Sequence, residues 1–475
     1  MMNISEKWMV VITVLLGTFT MILNNSSLNP AIPQFMNIFQ ADAVSVSWII
    51  TIFMVVMGMT MPLTGYLGER FGKKRIYLLG LSLFLLGSLL GSFAWSLSAV
   101  IAFRALQGIG GGLMMPLSMA LIFEVFPKNE RGMATGIWGV AVMMAPTIGP
   151  TIGGIVVEFG SWHWLFLMNI PTGIIGLILG FHYLKSTANN ALLRFDQIGF
   201  MTVTFGVGAI LFSLGRISEL TDLREPLNLV LIGLGLCSLL AFVLFELKTE
   251  TPLLNLNIFK VRTYRLSTIV ASVQTVGLFS GIFMIPLLAQ SVYGYDTIVT
   301  GLIFLPSALF TGIFMTIAGR ILDRNGPKKI VTVGLFVTGF ATMMLGFLDM
   351  HSPLWIIFLL MMVRGMGLGL SNMPATTAGL NAIPDPLVSQ GSAMNNVLRR
   401  MSSSFAIVFM SIYFEVRRAQ LFANGYSLEA GSLQALNEGF LIIGVLILVT
   451  IPAALHLRKP AMKDSQKATS TSTSI

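Results

Sequence analysis

The chain has 475 residues, of which 55% are hydrophobic and only 10% are charged. A soluble protein of this length carries roughly a quarter charged residues, so the composition excludes an ordinary soluble globular protein. The net charge of +9 does not indicate nucleic-acid binding, because the basic residues are distributed as membrane topology requires. The only cysteine, Cys237, excludes an internal disulfide and a multi-cysteine metal site.

Fourteen apolar runs are long enough to cross a bilayer, which takes about 20 residues. They predict an all-α integral membrane fold with one transmembrane helix per run. The first run is too long for a signal peptide and lacks a cleavage pattern, so we expect it to be retained. The predicted spans are 9–30, 45–67, 76–95, 98–122, 133–157, 163–184, 198–215, 227–247, 266–291, 298–319, 329–348, 354–375, 390–414 and 437–457.

The predicted helices are expected to form two pseudo-symmetric six-helix bundles plus two inserted helices. The expected units are an N-terminal bundle at 1–190, the inserted helices and their linkers at 191–262, a C-terminal bundle at 263–462 and a disordered cytoplasmic tail at 463–475. The tail is rich in Ser and Thr, which is typical of disorder. The longest polar connection runs from residue 415 to 438 on the outer side; the sequence leaves a partly helical structure open there and assigns the segment no role.

The basic residues predict the orientation of the chain. Of the 29 Lys and Arg, four lie in predicted outer segments (Arg216, Arg224, Arg417 and Arg418) and four lie within spans (Arg104, Arg364, Arg399 and Arg400). The others lie in segments that face the cytoplasm if the N-terminus does. This bias predicts that both termini are cytoplasmic and that the basic surface contacts anionic lipid.

Arg104 is a fixed positive charge inside the fourth apolar run, with Gln107 close behind it. An arginine near the bilayer centre costs about 2.5–3.5 kcal/mol on insertion scales, so it is expected to face a partner or a wet cavity. A cavity between membrane helices is what a transporter requires. The alternative is an arginine that only pairs with a neighbour to hold the bundle together.

An eleven-residue segment occurs twice, at 65–75 after the second span and at 319–329 after the tenth. Arg364 has a similar but less exact sequence context to Arg104 in the second half of the chain. Two halves related by such a parallel repeat are a known transporter plan. The repeated segments contain the residues that we expect to gate the cytoplasmic mouth: Gly65, Glu69, Arg70, Gly72, Asp323 and Arg324. The alternative is that their charges only fix the orientation of the chain.

The fifth apolar run is rich in proline and glycine: Pro146, Gly149, Pro150, Gly153 and Gly154. Proline removes a helical hydrogen bond and glycine permits close contact, so this helix is expected to be kinked and able to rock against a neighbour. The alternative is an ordinary packing face of small residues.

With these motifs in order, nearly the whole chain resembles the fourteen-span drug:proton antiporters of the major facilitator superfamily. The loop segments, the Arg104–Gln107 motif, the 145–154 run and the segment from Trp162 through Asn169 carry the resemblance. It implies proton coupling at Arg104 and Gln107, an antiporter hinge in the fifth helix, and a bacterial inner membrane. It implies no cofactor and no metal.

Asn24 stands where this branch of the family usually has an acidic residue, and an amide cannot carry a proton. Glu124 and Glu158 remain as candidate proton carriers, although each is also consistent with a solvated residue at a helix end. Polar residues within the spans should face the interior. The residues expected to line a substrate cavity are Asn24, Asn25, Asn29, Asn169, Gln290, Arg364, Asn372 and Asn395.

The leading hypothesis is a proton-coupled exporter of amphipathic or lipophilic drug-like molecules that works by alternating access. Its partners would be a small-molecule substrate, protons and membrane lipid, without nucleic acid; a monomer is assumed. The alternatives are a dedicated exporter of one natural metabolite, such as an amino acid, siderophore or lipid-like compound, and a membrane sensor without flux. An enzyme is not expected, because no catalytic constellation accompanies the four His and one Cys.

Overall fold

The computed structural model describes residues 4–41, 43–186, 194–217, 220–249 and 251–458, and all regular secondary structure within these ranges is helical. The predicted tail at 463–475 lies outside the described residues. The helices are α1 (Ile4–Ser27), α2 (Ile32–Phe39), α3 (Ala43–Thr60), α4 (Leu63–Phe71), α5 (Lys73–Gly91), α6 (Leu97–Val125), α7 (Arg131–Phe159), α8 (His163–Leu167), α9 (Asn169–Tyr183), α10 (Gln197–Leu214), α11 (Leu220–Leu223), α12 (Pro226–Glu246), α13 (Arg262–Pro286), α14 (Thr297–Asn325), α15 (Pro327–Leu345), α16 (Leu354–Asn381), α17 (Val388–Ala423), α18 (Leu428–Val449) and α19 (Ile451–Leu455).

Among the described residues, 12 helices are long and apolar enough to cross a membrane, and up to 14 if each of two bent helix pairs is one span. The first bent pair is α3 with α4, which meet at 57°. The second lies within α7, which bends by 42° after Pro146. The predicted all-helical membrane fold is therefore confirmed, whereas the count of fourteen spans stays a prediction.

Most of the predicted polar connection at 415–438 is helical. Helix α17 continues to Ala423, and α18 begins at Leu428. A two-pronged ion pair explains the order of this region, because Arg417 Nε donates to Glu438 Oε2 at 2.6 Å and Arg417 Nη2 donates to Glu438 Oε1 at 2.9 Å. The charged residues that suggested a loop instead join the two helix ends.

The second half of the chain has an apolar core of its own, built from buried side chains between Val270 and Leu457. The inserted helices form a hairpin beside both halves. Helix α10 packs on α12, α3 and α17, whereas the main neighbour of α12 is α10. Much of α12, including the side chain of Cys237, is exposed at the periphery of the bundle.

The repeated segment forms the same turn in both halves. Gly72 (φ 92°) is the single residue between α4 and α5, and Gly326 (φ 81°) is the single residue between α14 and α15. Residues with side chains rarely adopt positive φ values of this kind, so both turns need glycine. We call the end of the bundle that carries these two turns the motif end.

Candidate functional site

Six polar side chains from four helices meet inside the first half, and we call this group the Arg104 cluster. Its members are Asn24 and Asn25 of α1, Ser88 of α5, Arg104 and Gln107 of α6, and Asn169 of α9. Asn24, Arg104 and Gln107 are fully buried. Five residues that the sequence singled out are thus in one place.

The Arg104 guanidinium is held by neutral oxygen atoms. Its Nε donates to the carbonyl oxygen of Ile49 at 2.8 Å, and its Nη2 donates to Asn25 Oδ1 at 2.7 Å. Nη1 donates to both Asn24 Oδ1 at 2.9 Å and Gln107 Oε1 at 2.8 Å. No carboxylate is among its partners in the described part of the chain, so no ion pair neutralises this buried charge.

Gln107 extends the cluster to two further helices. Its Nε2 donates to Ser88 Oγ at 2.6 Å, and the same hydroxyl accepts from Asn169 Nδ2 at 3.3 Å. Asn24 uses its other amide atom for a backbone contact, because its Nδ2 donates to the carbonyl oxygen of Leu165 at 2.8 Å. The amide at position 24 therefore acts as a fixed neutral link.

Glycines of α6 let α3 and α5 approach the cluster. A Cβ on Gly108 would lie 2.8 Å from the carbonyl oxygen of Phe53, and a Cβ on Gly110 would lie 2.4 Å from that of Gly80. A side chain at either position would require a backbone shift. Phe53 also places its ring centre 4.3 Å from Arg104 Cζ, within cation–π range. Close glycine packing thus fixes Arg104 between α3 and α5.

Arg364 occupies the matching position on α16 in the second half. Its Nη2 donates to the carbonyl oxygen of Gly277 at 2.6 Å, and a Cβ on Gly281 would lie 2.5 Å from the same nitrogen. Nearby on the same two helices, both polar side-chain atoms of Asn372 and the Oε1 of Gln274 are buried without a partner among the described residues. Buried polar groups are usually paired, and these three atoms have hydrogen-bonding capacity that no described residue uses.

Three other residues predicted to line the cavity lie outside the Arg104 cluster. Asn29 is exposed beyond α1, where its Nδ2 donates to the carbonyl oxygen of Ser26 at 3.3 Å. Gln290 is exposed on a π-helical turn, Leu287–Val292. Asn395 is buried on α17. Asn29 therefore bonds to the end of α1, and a substrate role for all three residues stays a prediction.

The candidate proton carriers Glu124 and Glu158 both lie away from the Arg104 cluster. Glu124 forms an ion pair with Lys73, which ties α6 to α5 at the motif end. Glu158 is exposed near the opposite end of α7.

Asp323 joins the two halves at the motif end. Its Oδ1 accepts from the backbone N–H of Gly132 at 2.8 Å, and its Oδ2 accepts from that of Met133 at 2.8 Å. These N–H groups belong to the first turn of α7 and have no partner within the helix. A carboxylate there also interacts favourably with the helix dipole. A Cβ on Gly319 would lie 2.3 Å from the Gly132 carbonyl oxygen, so the α14 and α7 backbones touch.

Glu69 makes the corresponding contact between the two halves, through the side-chain amide of Gln390. Its Oε1 accepts from Gln390 Nε2 of α17 at 3.2 Å, and Gln390 Oε1 accepts from the backbone N–H of Asn255 at 2.9 Å. A Cβ on Gly65 would lie 2.7 Å from Gln390 Cγ. Helix α4 therefore packs on α17 around Gln390, much as α14 packs on α7 around Gly132.

The arginines at the motif end differ in their contacts. Arg70 donates to the Tyr66 hydroxyl and lies 5.5 Å from the ring centre of Phe71, both on its own helix. Arg324 follows Asp323 in the last turn of α14. Arg131 makes an additional contact between the two halves, because its Nη1 donates to Asp385 Oδ1 at 3.0 Å.

The predicted hinge lies where α7 leans on α1. Pro146 is at the 42° bend, as expected of a residue that removes a helical hydrogen bond. Beyond it, a Cβ on Gly149 would lie 1.8 Å from Ser26 Oγ, and one on Gly153 would lie 2.0 Å from the Ser27 carbonyl oxygen. Pro150 is exposed, and a Cβ on Gly154 would have no atom within 4 Å.

Sequence reasoning missed five polar residues that the structure makes prominent: Ser88, Arg131, Asp196, Glu246 and Gln390. Three of them left a signal in the sequence. Gln390 precedes a glycine at the start of α17, as Arg131 does at the start of α7. Asp196 precedes an apolar run in the manner of a helix cap. Ser88 left no signal, because serine is common in apolar spans.

The helical fold with two related halves and a buried basic site is that of a membrane transporter. The chain belongs to the Major Facilitator Superfamily, whose family profile matches residues 14–407. This confirms the predicted class, and proteins of this family are transporters and not enzymes.

Several curated proteins are similar to this chain. It is 32% identical over 415 residues to the uncharacterized MFS-type transporter YhcA of Bacillus subtilis, covering 87% of this chain and 78% of YhcA. It is 28% identical to the multidrug export protein EmrB of Haemophilus influenzae, covering 82% and 77% of the two chains. It is 29% identical to the riboflavin transporter RibZ of Clostridioides difficile, covering 86% and 88%. The structure of the human organic anion transporter MFSD10 matches with a TM-score of 0.66 at 15% identity over 94% of this chain and 99% of MFSD10, which shows the fold alone.

Proposed function

We propose that this chain is a secondary active exporter of the bacterial inner membrane. It moves amphipathic or lipophilic drug-like compounds out of the cell by alternating access and uses the proton gradient as its driving force. Both termini and the motif end face the cytoplasm, as the positive-inside distribution of Lys and Arg indicates. The similarity to a protein named as a multidrug exporter supports drug-like substrates.

The observation that carries the proposal is the uncompensated charge of Arg104. An arginine in a membrane span costs about 2.5–3.5 kcal/mol on insertion scales, and a carboxylate partner would be the usual way to offset a purely structural one. Arg104 binds neutral amides and a carbonyl oxygen instead. Because no opposite charge cancels it, the electrostatic field of Arg104 acts on groups nearby. Binding of a proton or of an anionic group near Arg104 would therefore change its interaction energy.

The interior of the bundle favours neutral or anionic substrates over polyvalent cations. Four arginines lie inside the bundle without a carboxylate neighbour among the described residues: Arg104 and Arg364, which are buried, and Arg399 and Arg400, which are half-buried. Their combined field repels cations. The Asn372 amide and the Oε1 of Gln274, which lack partners among the described residues, would bind polar groups of a substrate in a largely apolar pocket.

Transport in proteoliposomes tests the proposal. Protein reconstituted with a known orientation should move a neutral or anionic amphipathic fluorescent dye against its gradient when ΔpH is imposed. A matched cationic dye should move more slowly. An uncoupler should abolish the movement, because it removes the driving force. Movement that the uncoupler leaves unchanged would refute proton coupling, and a complete lack of dye movement would count against the exporter.

A dedicated exporter of one metabolite is the second candidate function. The similarity to a protein named as a riboflavin transporter favours it, as does the positive interior. A panel of drugs and metabolites offered to the same proteoliposomes separates the two functions. Saturable transport of a single metabolite, without transport of any drug-like dye, would support the second candidate.

The contacts at the motif end support a state in which the cytoplasmic mouth is closed. We expect Asp323→Ala to open it, because the first turn of α7 loses its cap, which is worth about 0.5–2 kcal/mol. A cysteine at Thr377, which contacts Thr135 across the interface at 2.8 Å, would report the opening in a Cys237→Ser background. Thiol labelling should become about 2–30 times faster, by the same free-energy difference.

Asp349→Ala is the matched control for this experiment. Asp349 lies in the exposed loop at the opposite end, where donation by Ser352 Oγ and the His351 N–H holds its pKa below the ordinary value. The control therefore removes an ionised aspartate without touching α7. Equal labelling rates in the two variants would mean that Asp323 does not hold the mouth closed.

A further inference from the structure

A pair of buried carboxyl groups lies at the motif end of the inserted helices, away from the Arg104 cluster. Asp196 precedes α10 and Glu246 ends α12, and the two residues are only 9% and 3% exposed. Asp196 Oδ2 and Glu246 Oε1 lie 2.3 Å and 2.8 Å from the point that a Cβ on Gly199 would occupy. The two carboxyl groups are therefore immediate neighbours.

Each carboxyl group has one oxygen that accepts a hydrogen bond and one that does not. Asp196 Oδ1 accepts from the N–H of Gly199 at 2.8 Å, and Glu246 Oε1 accepts from that of Leu254 at 3.3 Å. Asp196 Oδ2 and Glu246 Oε2 are buried without a partner among the described residues. Two charged carboxylates in this arrangement would repel each other without water to offset the cost, whereas one bound proton removes a charge and supplies a donor.

Nearby basic residues do not neutralise the negative charge of the carboxyl pair. In the described part of the chain, Asp196 is the charged group that acts on Glu246. Helix α3, which packs on α10, contains no charged residue. The basic residues on the flanking segments are Arg194, Lys248 and Lys260, and those on α17 are Arg399, Arg400, Arg417 and Arg418. The first three are exposed, and Arg399 Nε donates to Thr275 on α13.

A continuous path connects the carboxyl pair to the contact between α4 and α17. Glu246 holds the N–H of Leu254, and the next residue, Asn255, donates its N–H to Gln390 Oε1. Gln390 Nε2 in turn donates to Glu69 Oε1. The linker at 253–255 therefore lies between the carboxyl pair and the repeated segment that begins at Gly65.

We infer that Asp196 and Glu246 form a binding site for one cytoplasmic proton, and that the bound proton keeps the α4–α17 contact closed. The inference rests on the proposed function only in taking the motif end as the cytoplasmic gate. A hydronium ion gives its proton to Glu246 Oε2 and leaves as water, so the charge of the pair falls from two negative charges to one. Loss of the proton restores both charges, displaces Glu246 and frees Leu254, and thereby loosens the hold on Gln390.

Infrared difference spectroscopy of the full chain in nanodiscs tests proton binding directly. Between about pH 6 and about pH 9, a range in which ordinary Asp and Glu stay ionised, the wild type should lose one carboxylic acid C=O band. Glu246→Gln and Asp196→Asn should each remove this band. Glu225→Gln, at the exposed opposite end of α12, should keep it. A wild-type spectrum without the band would overturn the inference, as would a band that survives in both variants.

Hydrogen–deuterium exchange of the peptide that contains residues 253–255 tests the link to the gate. Glu246→Gln mimics the protonated form, so wild type and variant should exchange equally at about pH 6, and the wild type should exchange about tenfold faster than the variant at about pH 9. Asp196→Asn provides an independent variant if Glu246→Gln fails to fold. Equal exchange of the wild type and the folded variant at both pH values would refute the link.

Replacing sodium by choline in both measurements separates a proton from a metal cation. A band or an exchange rate that responds to sodium would overturn the proton assignment in favour of a cation site. Neither measurement requires transport, so a failure of the proposed export function leaves the outcome for this site readable. Conversely, dye export that depends on ΔpH could coexist with a carboxyl pair that binds no proton.

Discussion

Arg104→Ala is expected to abolish coupled transport while changing thermal stability little. Two opposing effects act on stability. The substitution removes a buried charge, which relieves a cost of about 2.5–3.5 kcal/mol on insertion scales, and it leaves buried acceptors unpaired at about 1–3 kcal/mol each. The acceptors are Asn24, Asn25, Gln107 and the Ile49 carbonyl. Water entering the space left by the side chain can donate to these acceptors, so the two effects should nearly cancel, whereas the electrostatic field that transport requires is lost.

Dye transport in proteoliposomes and the melting temperature of the purified protein should be measured together. Arg104→Lys keeps the charge but cannot reproduce the fork of donors to three helices, so it should restore transport only partly. Arg418→Ala is the control, because Arg418 is partly exposed and pairs with Glu415 on its own helix. A parallel fall of melting temperature and transport in Arg104→Ala would instead indicate an arginine that only braces the bundle.

Gly153→Ala and Gly154→Ala are expected to have opposite effects, although the residues are adjacent on α7. A Cβ on Gly153 would lie 2.0 Å from the Ser27 carbonyl oxygen, so α1 and α7 would have to separate. Overpacking of this kind typically costs about 1–3 kcal/mol, and we expect transport to be lost with it. A Cβ on Gly154 meets no atom within 4 Å, so alanine there should stabilise the helix by up to about 1 kcal/mol.

Thermal unfolding in detergent and the dye assay distinguish the two glycine variants. A lower melting temperature for Gly153→Ala and an unchanged or higher one for Gly154→Ala is the expected pattern. If both variants melt alike, the contact between α1 and α7 does not depend on glycine at position 153. If Gly153→Ala melts normally yet fails to transport, the position serves the motion of α7 and not its packing.

The sequence predicted the class of fold and the centre of the first half. The burial of Arg104 could be predicted because it is a charge within an apolar run. Its contacts with Gln107 and Asn24 could be predicted because polar residues within spans must avoid lipid. The close contacts at Gly65 and Gly153 were foreseeable, because small residues permit backbones to approach. These inferences depend only on the cost of polar groups in a bilayer and on side-chain size.

Other features could not be predicted, because they depend on helix rotation and on pairs distant in sequence. Asn29 and Gln290 are polar residues in or near spans, yet both are exposed. Helix α17 runs beyond its predicted end because Arg417 finds a partner on α18. Asp196 and Glu246 each resemble a solvated helix end, and only the docking of α10 on α12 buries them together.

The two repeated segments connect the halves of the bundle at the motif end through unequal numbers of hydrogen bonds. On one side, a carboxylate caps α7 with two backbone bonds and the α14 and α7 backbones touch. On the other side, a single hydrogen bond from the Gln390 side-chain amide reaches the Glu69 carboxylate. In the proposed function, opening should therefore begin between α4 and α17 and proceed towards α7. A molecule leaving the inner leaflet would then enter on the side of the bundle where α10 and α12 pack.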